Sequence, residues 1–549
     1  MTWFSELRFG SRRSPVFGTH GIVASSQPLA SQAGLSILMQ GGNAADAAVA
    51  TAAALNVTEP CSTGIGGDCF SLFYEAASGT VTALNASGRA PMGLSIDLIR
   101  RDGSAPSGAL PPRHAHTVTV PGACSGWFEM IGRHGSMPMT AILGPAIRLA
   151  EEGYPVSPIA AYLWAHSAEN ELRLDKGHEL TIDGRAPRAG EIFRNPGLAR
   201  TFRAIAEGGP DAFYQGNIGR QIVETVQNAG GVMTVEDLAT HMATWDTPIS
   251  IMYHGVRVWE CPPNGQGLAA LLALNVLNEL PIHAPLSADR VHLQVEAMRL
   301  AFADAATYIA DPRAVAVPIS GLLSEAYAAE RRALIEPTRA MPRPSHGLPT
   351  AGSDTVYFCV VDGAGNACSF INSNYNGFGT GLVPRGCGFS LHNRGRNFSL
   401  IAGHLNALAP GKRPYHTIIP GMATRADGSL LCPFGVMGGF MQPQGHMQVI
   451  VGLVDDDLDP QSALDQPRFC VEDDVVYVEE GMPSTELASR GHHVEVVRGY
   501  DRAGYLGVAI GGVRPMKTLF GRGQIIIRQP DGVLCAGSDM RGDGCAMGW

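Results

Sequence analysis

Charge is scarce in this chain. Only 16% of its 549 residues are Asp, Glu, Lys or Arg, and they sum to a net charge of −10. There is no long basic run, which argues against nucleic acid as the main partner. No stretch reaches the roughly 18 uninterrupted apolar residues that a spanning helix requires, so no membrane partner is expected. Arg8, Arg12 and Arg13 stand near the start, but no apolar core of a signal peptide follows them, and a cytoplasmic location is expected. The 11 cysteines contain no CxxC pair. Cys61, Cys69, Cys124, Cys359 and Cys368 lie among apolar or small residues and read as reduced core thiols, not as a disulfide framework or a zinc site. GxSxG, Walker and HExxH patterns are missing. His114 and His116 form an isolated HxH, and His492-His493 an adjacent pair in an expected surface turn. Neither has further ligands at metal spacing, so no metal or organic cofactor is implied.

What the chain has is 45% hydrophobic residues and 67 glycines, the texture of a large globular domain or several smaller ones. Residues 17–25 read as a short strand. Pro28 then opens a helix running to residue 40, stopped by Gly41-Gly42. Asn43 can cap a helix over residues 44–57 that has little polar face and should be buried. The cluster Gly64-Ile65-Gly66-Gly67-Asp68 precedes a strand at 69–74, the wrong order for a dinucleotide fingerprint, and reads as a tight turn with close backbone approach. Helices are expected at 123–132 and 140–152. Residues 195–280 read as mainly helical with one strand-like interruption at 256–260, and a further helix, capped by Ser287, runs to Tyr308. Residues 337–354 hold four prolines and no periodicity, and read as an exposed linker.

After the linker the texture changes to strands. Residues 356–361 and 367–373 flank Asp362-Gly363-Ala364-Gly365-Asn366, a hairpin signal. Strands follow at 475–479, 494–497, 524–528 and 533–537, with a helix at 443–453. A helix-rich first part and a strand-rich second part suit an α+β layered fold with antiparallel sheets.

Thr355 opens the first of these strands directly behind the linker. If the chain is cut between Asp354 and Thr355, the threonine carries its own general base, because an α-amine titrates near pH ~8. Acyl transfer also needs an oxyanion hole, and Gly438-Gly439 ahead of a helix offers two backbone N–H groups in a freely turning stretch. Ser373, at the end of the second hairpin strand, can orient the threonine. Arg89, between small residues, and Arg394 can each hold an acidic substrate group with a planar fork. Two readings of other classes stay open: an uncut binding or scaffold protein, and a hydrolase using a cysteine nucleophile.

At these residues the sequence resembles the γ-glutamyltransferase family of N-terminal-nucleophile hydrolases. The resemblance runs through Gln40-Gly41-Gly42-Asn43-Ala44-Ala45-Asp46-Ala47, Gly64–Asp68, Arg89-Ala90-Pro91, Val120-Pro121-Gly122 and Gly230-Gly231 with Glu236-Asp237-Leu238. It continues in Thr247-Pro248-Ile249, residues 355–381, Gly411-Lys412-Arg413-Pro414, Gly438-Gly439 and Gln466-Pro467-Arg468-Phe469. It implies a four-layer αββα sandwich and a proenzyme cut before Thr355 into a large piece, 1–354, and a small one, 355–549, that stay together, with a homo-oligomer possible. It further implies an acyl-enzyme on Thr355, an oxyanion hole at Gly438 and Gly439, Arg89 on a substrate carboxylate, and a small-molecule amide as substrate.

Departures from the family pattern fall on the substrate side. Thr355-Val356-Tyr357 stands where Thr-Thr-His or Thr-Ser-His is usual, and Ser373 replaces the supporting threonine. Tyr375 stands where asparagine is expected, Asn397 where an aspartate meets the substrate ammonium, and Arg394 at the acceptor just before it. A serine pair becomes His416-Thr417. The loop between Phe398 and Lys412 is shorter by about ten residues, so the lid of the bacterial enzymes is expected to be missing. Loss of a carboxylate and gain of Arg394 disfavour a cationic group in the pocket. They favour an acyl group with a carboxylate and no amine, as in glutaryl (cephalosporin) acylases and oxamate amidohydrolases, over γ-glutamyl, and an open site favours hydrolysis over transfer.

Overall fold

The computed structural model describes residues 13–170, 172, 178–342, 354–497 and 519–549. Most of the linker, 343–353, lies outside these residues, as does the start of the chain, 1–12.

Alternation in the hairpin after the linker sets the layers. In the strand Asp354–Asp362, Val356, Phe358 and Val360 point to one side and Thr355, Tyr357 and Cys359 to the other. On the first side lies the helix Ala44–Thr58, every residue of which is buried. It starts at the predicted cap: the Asn43 side chain accepts from Ala45 and Asp46 N–H, and Asp46 returns the bond to Asn43 N–H. On the other side the Tyr357 ring lies so close to Gly435 of a second sheet that a Cβ there would stand 2.5 Å from it.

A separate three-stranded sheet departs from the antiparallel expectation by pairing Val475–Glu479 parallel to His493–Val497. The two layered sheets have seven strands each, paired antiparallel throughout. One runs Cys545–Gly548, Gly21–Ser25, Asp354–Asp362, Ala367–Tyr375, Asp68–Glu75, Thr80–Ala86, Thr244–Asp246. The other runs Val16–Gly18, Leu534–Ser538, Arg522–Arg528, Leu430–Met437, Gly421–Arg425, Val256–Glu260, Ile249–Tyr253. Helices Pro28–Met39, Ala44–Thr58 and Ala123–His134 cover the first sheet, with Met139–Glu152 packed on Ala44–Thr58. Gly267–Leu277 and Met441–Val454 cover the second, with Ala288–Tyr308 packed on Gly267–Leu277. This is the expected αββα sandwich, and the hairpin that follows the linker sits in the middle of it.

Three sequence expectations are corrected. Residues 17–25 are two strands, one in each sheet, because the chain turns at Thr19-His20. The mainly helical reading of 195–280 missed Thr244–Asp246 and Ile249–Tyr253. The second of these forms a tight hairpin with Val256–Glu260 through His254-Gly255, whose φ values of 42° and 86° are what such a turn demands. His492 does not lie in a surface turn: it is buried, and its Nε2 meets Nδ1 of His292 at 2.8 Å. By contrast Gly66 and Gly67 form the tight turn expected: a Cβ on Gly66 would fall 2.3 Å from Ser390 O, and one on Gly67 would fall 2.2 Å from Ser373 O.

Candidate active site

The register of the central hairpin brings the first two site residues together. Val356 pairs with Asn372 and Tyr357 with Ile371, which places Thr355 opposite Ser373. The next strand pairs Ser373 with Asp68. Thr355, Ser373 and Asp68 therefore form one row across the sheet, facing the inter-sheet interior, and all three are buried. Just beyond the row the register slips by one residue, so that Asp354 pairs with Tyr375. Tyr375 accommodates the slip at φ 76°, a backbone state uncommon for a residue with a side chain and a mark of bulges beside active sites.

Around the row, donors converge. Thr355 Oγ1 lies 3.0 Å from Ser373 Oγ. Ser373 Oγ accepts from Tyr375 N–H at 2.9 Å and from Arg394 Nη2 at 3.2 Å. Arg394 lies 4.2 Å above the centre of the Tyr375 ring, and its Nη1 donates to Thr417 Oγ1 at 2.6 Å. From Thr417 the network reaches the glycine pair: the Gln266 side-chain amide donates to Thr417 O at 2.6 Å and to Gly439 O at 2.8 Å. Gly438 and Gly439 join the strand Leu430–Met437 to the helix Met441–Val454 at φ 134° and 61°. Among the described residues, no group accepts the N–H of either glycine. Two such amides in a turn at a helix start have the chemistry to receive negative charge.

Behind the row sits a buried acid. Asp68 accepts from Gly88 N–H at 3.0 Å and meets His416 Nε2 at 2.9 Å and His392 Nδ1 at 3.4 Å. Burial alone would raise its carboxyl, but the two imidazoles hold it well below the usual carboxylate range. Burial, with help from the charge of Arg394, pushes His416 down to about 3 against the pull of Asp68, so its ring is a neutral donor to the carboxylate.

The remaining candidates lie further from the hydroxyl pair. Asn397 donates to Tyr415 O at 3.0 Å and is half-buried, so its side chain ties down its own loop. Arg89 is half-buried and donates to Met242 O at 3.4 Å, with no bond to the cluster among the described residues. Burial lowers its affinity for a proton. The Asp354 side chain lies outside the described part of the structure.

Sequence reading missed Asp68 as a site residue, along with His392 and Gln266. Asp68 closes the glycine cluster singled out as a turn, and its place in the row follows once the strand at 68–75 is paired with the hairpin. No sequence signal marks His392 or Gln266, which arrive from distant loops.

The whole arrangement is that of an amide-cleaving hydrolase built on a two-sheet sandwich, and comparison with known proteins agrees. The family model for Gamma-glutamyltranspeptidase matches residues 30–549. Over 97% of this chain and 99% of the relative, the sequence is 36% identical to the Glutathione hydrolase-like YwrD proenzyme of Bacillus subtilis. It is 34% identical to the Oxamate amidohydrolase proenzyme of Klebsiella pneumoniae, with the same coverage of both chains. The crystal structure of a cephalosporin acylase from Bacillus halodurans superposes with a TM-score of 0.89 at 45% identity, covering 100% of this chain and 99% of that one. The chain belongs to the gamma-glutamyltranspeptidase family. No helix among the described residues is long and apolar enough to cross a membrane.

Proposed function

We propose that this protein is a self-cutting amidohydrolase in which Thr355 is the nucleophile, freed as the first residue of a 355–549 piece that stays with the 1–354 piece in one αββα unit. The observation that carries the reading is the state of Ser373 Oγ. Tyr375 N–H and Arg394 Nη2 both donate to that hydroxyl, which lies 3.0 Å from Thr355 Oγ1, so the threonine oxygen sits beside a hydroxyl polarised by two donors. A hydroxyl so placed can donate to Thr355 Oγ1 as that oxygen gives up its proton and becomes nucleophilic.

Attack of Thr355 Oγ1 on the Asp354 carbonyl carbon shifts the acyl group from N to O, breaking the peptide C–N bond. Water then hydrolyses the ester to leave Asp354 with a free carboxylate and Thr355 with a free α-amine. The released α-amine, with a pKa near ~8, then serves as base for the same hydroxyl. Oγ1 attacks a substrate amide, Gly438 and Gly439 N–H stabilise the oxyanion, the amine leaves with a proton from the α-ammonium, and water releases the acid. Relatives named glutathione hydrolase, oxamate amidohydrolase and acylase support a small amide as substrate. Asn397, Arg394 and the pair His416-Thr417 favour an acidic acyl group without an ammonium. The short loop between Phe398 and Lys412 favours hydrolysis over transfer. Burial pushes the thiols of Cys69, Cys124, Cys261, Cys359 and Cys368 up, and those of Cys387, Cys432 and Cys535 to about 12, which supports threonine over cysteine as nucleophile.

The test is Thr355→Ala. A single uncut band on a denaturing gel with no amidase activity is expected; two bands from this variant would sink the reading.

A further inference from the structure

Arg394 is fully buried, and its guanidinium carries five N–H donors. Two go to neutral hydroxyls, Ser373 Oγ and Thr417 Oγ1, and the face rests on Tyr375. Among the described residues Nε has no partner. No carboxylate among them lies within ion-pair distance of the guanidinium, and the carboxylate whose charge does reach it, Asp68, is already engaged by His392 and His416. A buried charge without a counter-charge is expensive, and proteins keep one where something else supplies the opposite sign.

Its position says what that is. Arg394 Nη2 and Thr355 Oγ1 both touch one atom, Ser373 Oγ, at 3.2 and 3.0 Å. An anion on this guanidinium is one hydrogen-bonded atom away from the attacking oxygen. Arg89, the other candidate, is bonded instead to Met242 O at the edge of the site. We propose that Arg394 is the receptor for a carboxylate on the acyl side of the substrate, which makes the substrate class the half-amides of short dicarboxylic acids. With the scissile carbonyl about 3 Å from Oγ1 and the carboxylate at hydrogen-bond distance from the fork, about two carbons at most fit between them. The proposal rests on Thr355 being the nucleophile.

The experiment uses the self-cut protein and p-nitroanilides of oxamic, malonamic, succinamic and glutaramic acid, each beside a neutral amide with methyl in place of the carboxylate. In the wild type the charged-to-neutral ratio of kcat/KM should be about tenfold to a hundredfold for the three shorter acids and fall at glutaramic. Arg394→Gln should bring that ratio toward one, and Arg89→Gln should leave it high. An unchanged ratio in Arg394→Gln, or an optimum at glutaramic, overturns the proposal. If Arg394→Gln fails to fold or cut itself, wild-type inhibition decides: oxamate should block cleavage of the neutral amide at least tenfold more tightly than oxamide, and equal inhibition overturns the proposal. Thr355→Ala run alongside keeps the two readings apart. Turnover that persists in it overturns the nucleophile, whereas Thr355-dependent turnover with an unchanged ratio in Arg394→Gln overturns only the anion site.

Discussion

Two groups of buried arginines in this molecule are treated in opposite ways. Near the end of the chain, Arg468 and Arg541 lie beneath the strand Arg522–Arg528 and share Asp539. Arg468 Nη2 meets Asp539 Oδ2 at 2.7 Å, and Arg541 Nη1 meets Oδ1 at 3.1 Å. Arg541 also forks onto Glu479, while Gly523 N–H completes Asp539 at 2.9 Å. Burial works against the charge on Asp539, yet the two arginines hold its carboxyl below the usual range. Arg394, equally buried, meets only hydroxyls and a ring among the described residues, and burial pushes it down to about 10. The first group is closed: every charge has its counter-charge in the chain. The second is open, and it is open beside the proposed nucleophile. Absence of an ion pair is not enough by itself. Buried Arg413 has none among the described residues, but it commits its guanidinium to the carbonyls of Ser87 and Asn85 and to Thr244 Oγ1, whereas Arg394 keeps Nε unpartnered there.

Stability measurements sharpen this contrast most. Arg468→Met leaves Asp539 with one arginine fewer in a dry site, and should cost about 3–5 kcal/mol in urea denaturation. Next in size is an effect on chemistry at the open site. Ser373→Ala removes the hydroxyl beside Thr355 Oγ1 and the acceptor shared by Tyr375 N–H and Arg394. It should lower kcat roughly a hundredfold, with a smaller change in KM, and slow self-cutting on a gel time course. A variant with wild-type kcat would show that the hydroxyl pair is only structural. Arg394→Met, the counterpart of the first change, orphans no carboxylate. It should leave stability unchanged or raise it by up to about 2 kcal/mol while losing the preference for acidic substrates. A loss as large as that of Arg468→Met would break the comparison.

The two regions also differ in how far the sequence reveals them. The turn Asp362–Asn366 sets the hairpin register, and counting back from it puts Ser373 opposite Thr355 without any tertiary information. Gly438 and Gly439 are legible for the same local reason, since a glycine pair between a strand and a helix declares its backbone freedom. Arg394 could be singled out as a departure from a family pattern, but its lack of a counter-charge could not. That depends on which acids the folded chain brings near, and Asp68, His392 and Gln266 arrive from three separate segments. The fold itself was readable where periodicity is strong, as in the helix Ala44–Thr58. It was misread at Thr244–Tyr253, where short edge strands carry too few residues to display their alternation.

A buried histidine beside the site extends the comparison to the neutral state. His241 is buried against the Tyr214 ring, 5.6 Å between centroids, and among the described residues neither ring nitrogen has a partner. Burial, and then the charges of Arg413 and Arg89, push it down to about 3. His416 is pushed equally low but has Asp68 to donate to, so it is the partnered counterpart. A histidine whose folded pKa is depressed contributes stability that is fully present above its unfolded value near ~6.5, and that is lost as pH falls toward the folded value. At pH 5 the loss from His241 alone comes to about 2 kcal/mol, whereas Asp68, held as a carboxylate, should contribute no loss in that range. His241→Asn removes this titration, so its urea midpoint should fall less between pH 7 and pH 5 than that of the wild type. The decline that remains belongs to His416 and to His134 and His492, both pushed down to about 4 by burial. Parallel pH profiles for variant and wild type would mean that His241 finds a proton acceptor in solution, and its environment would then belong with the closed arginine group.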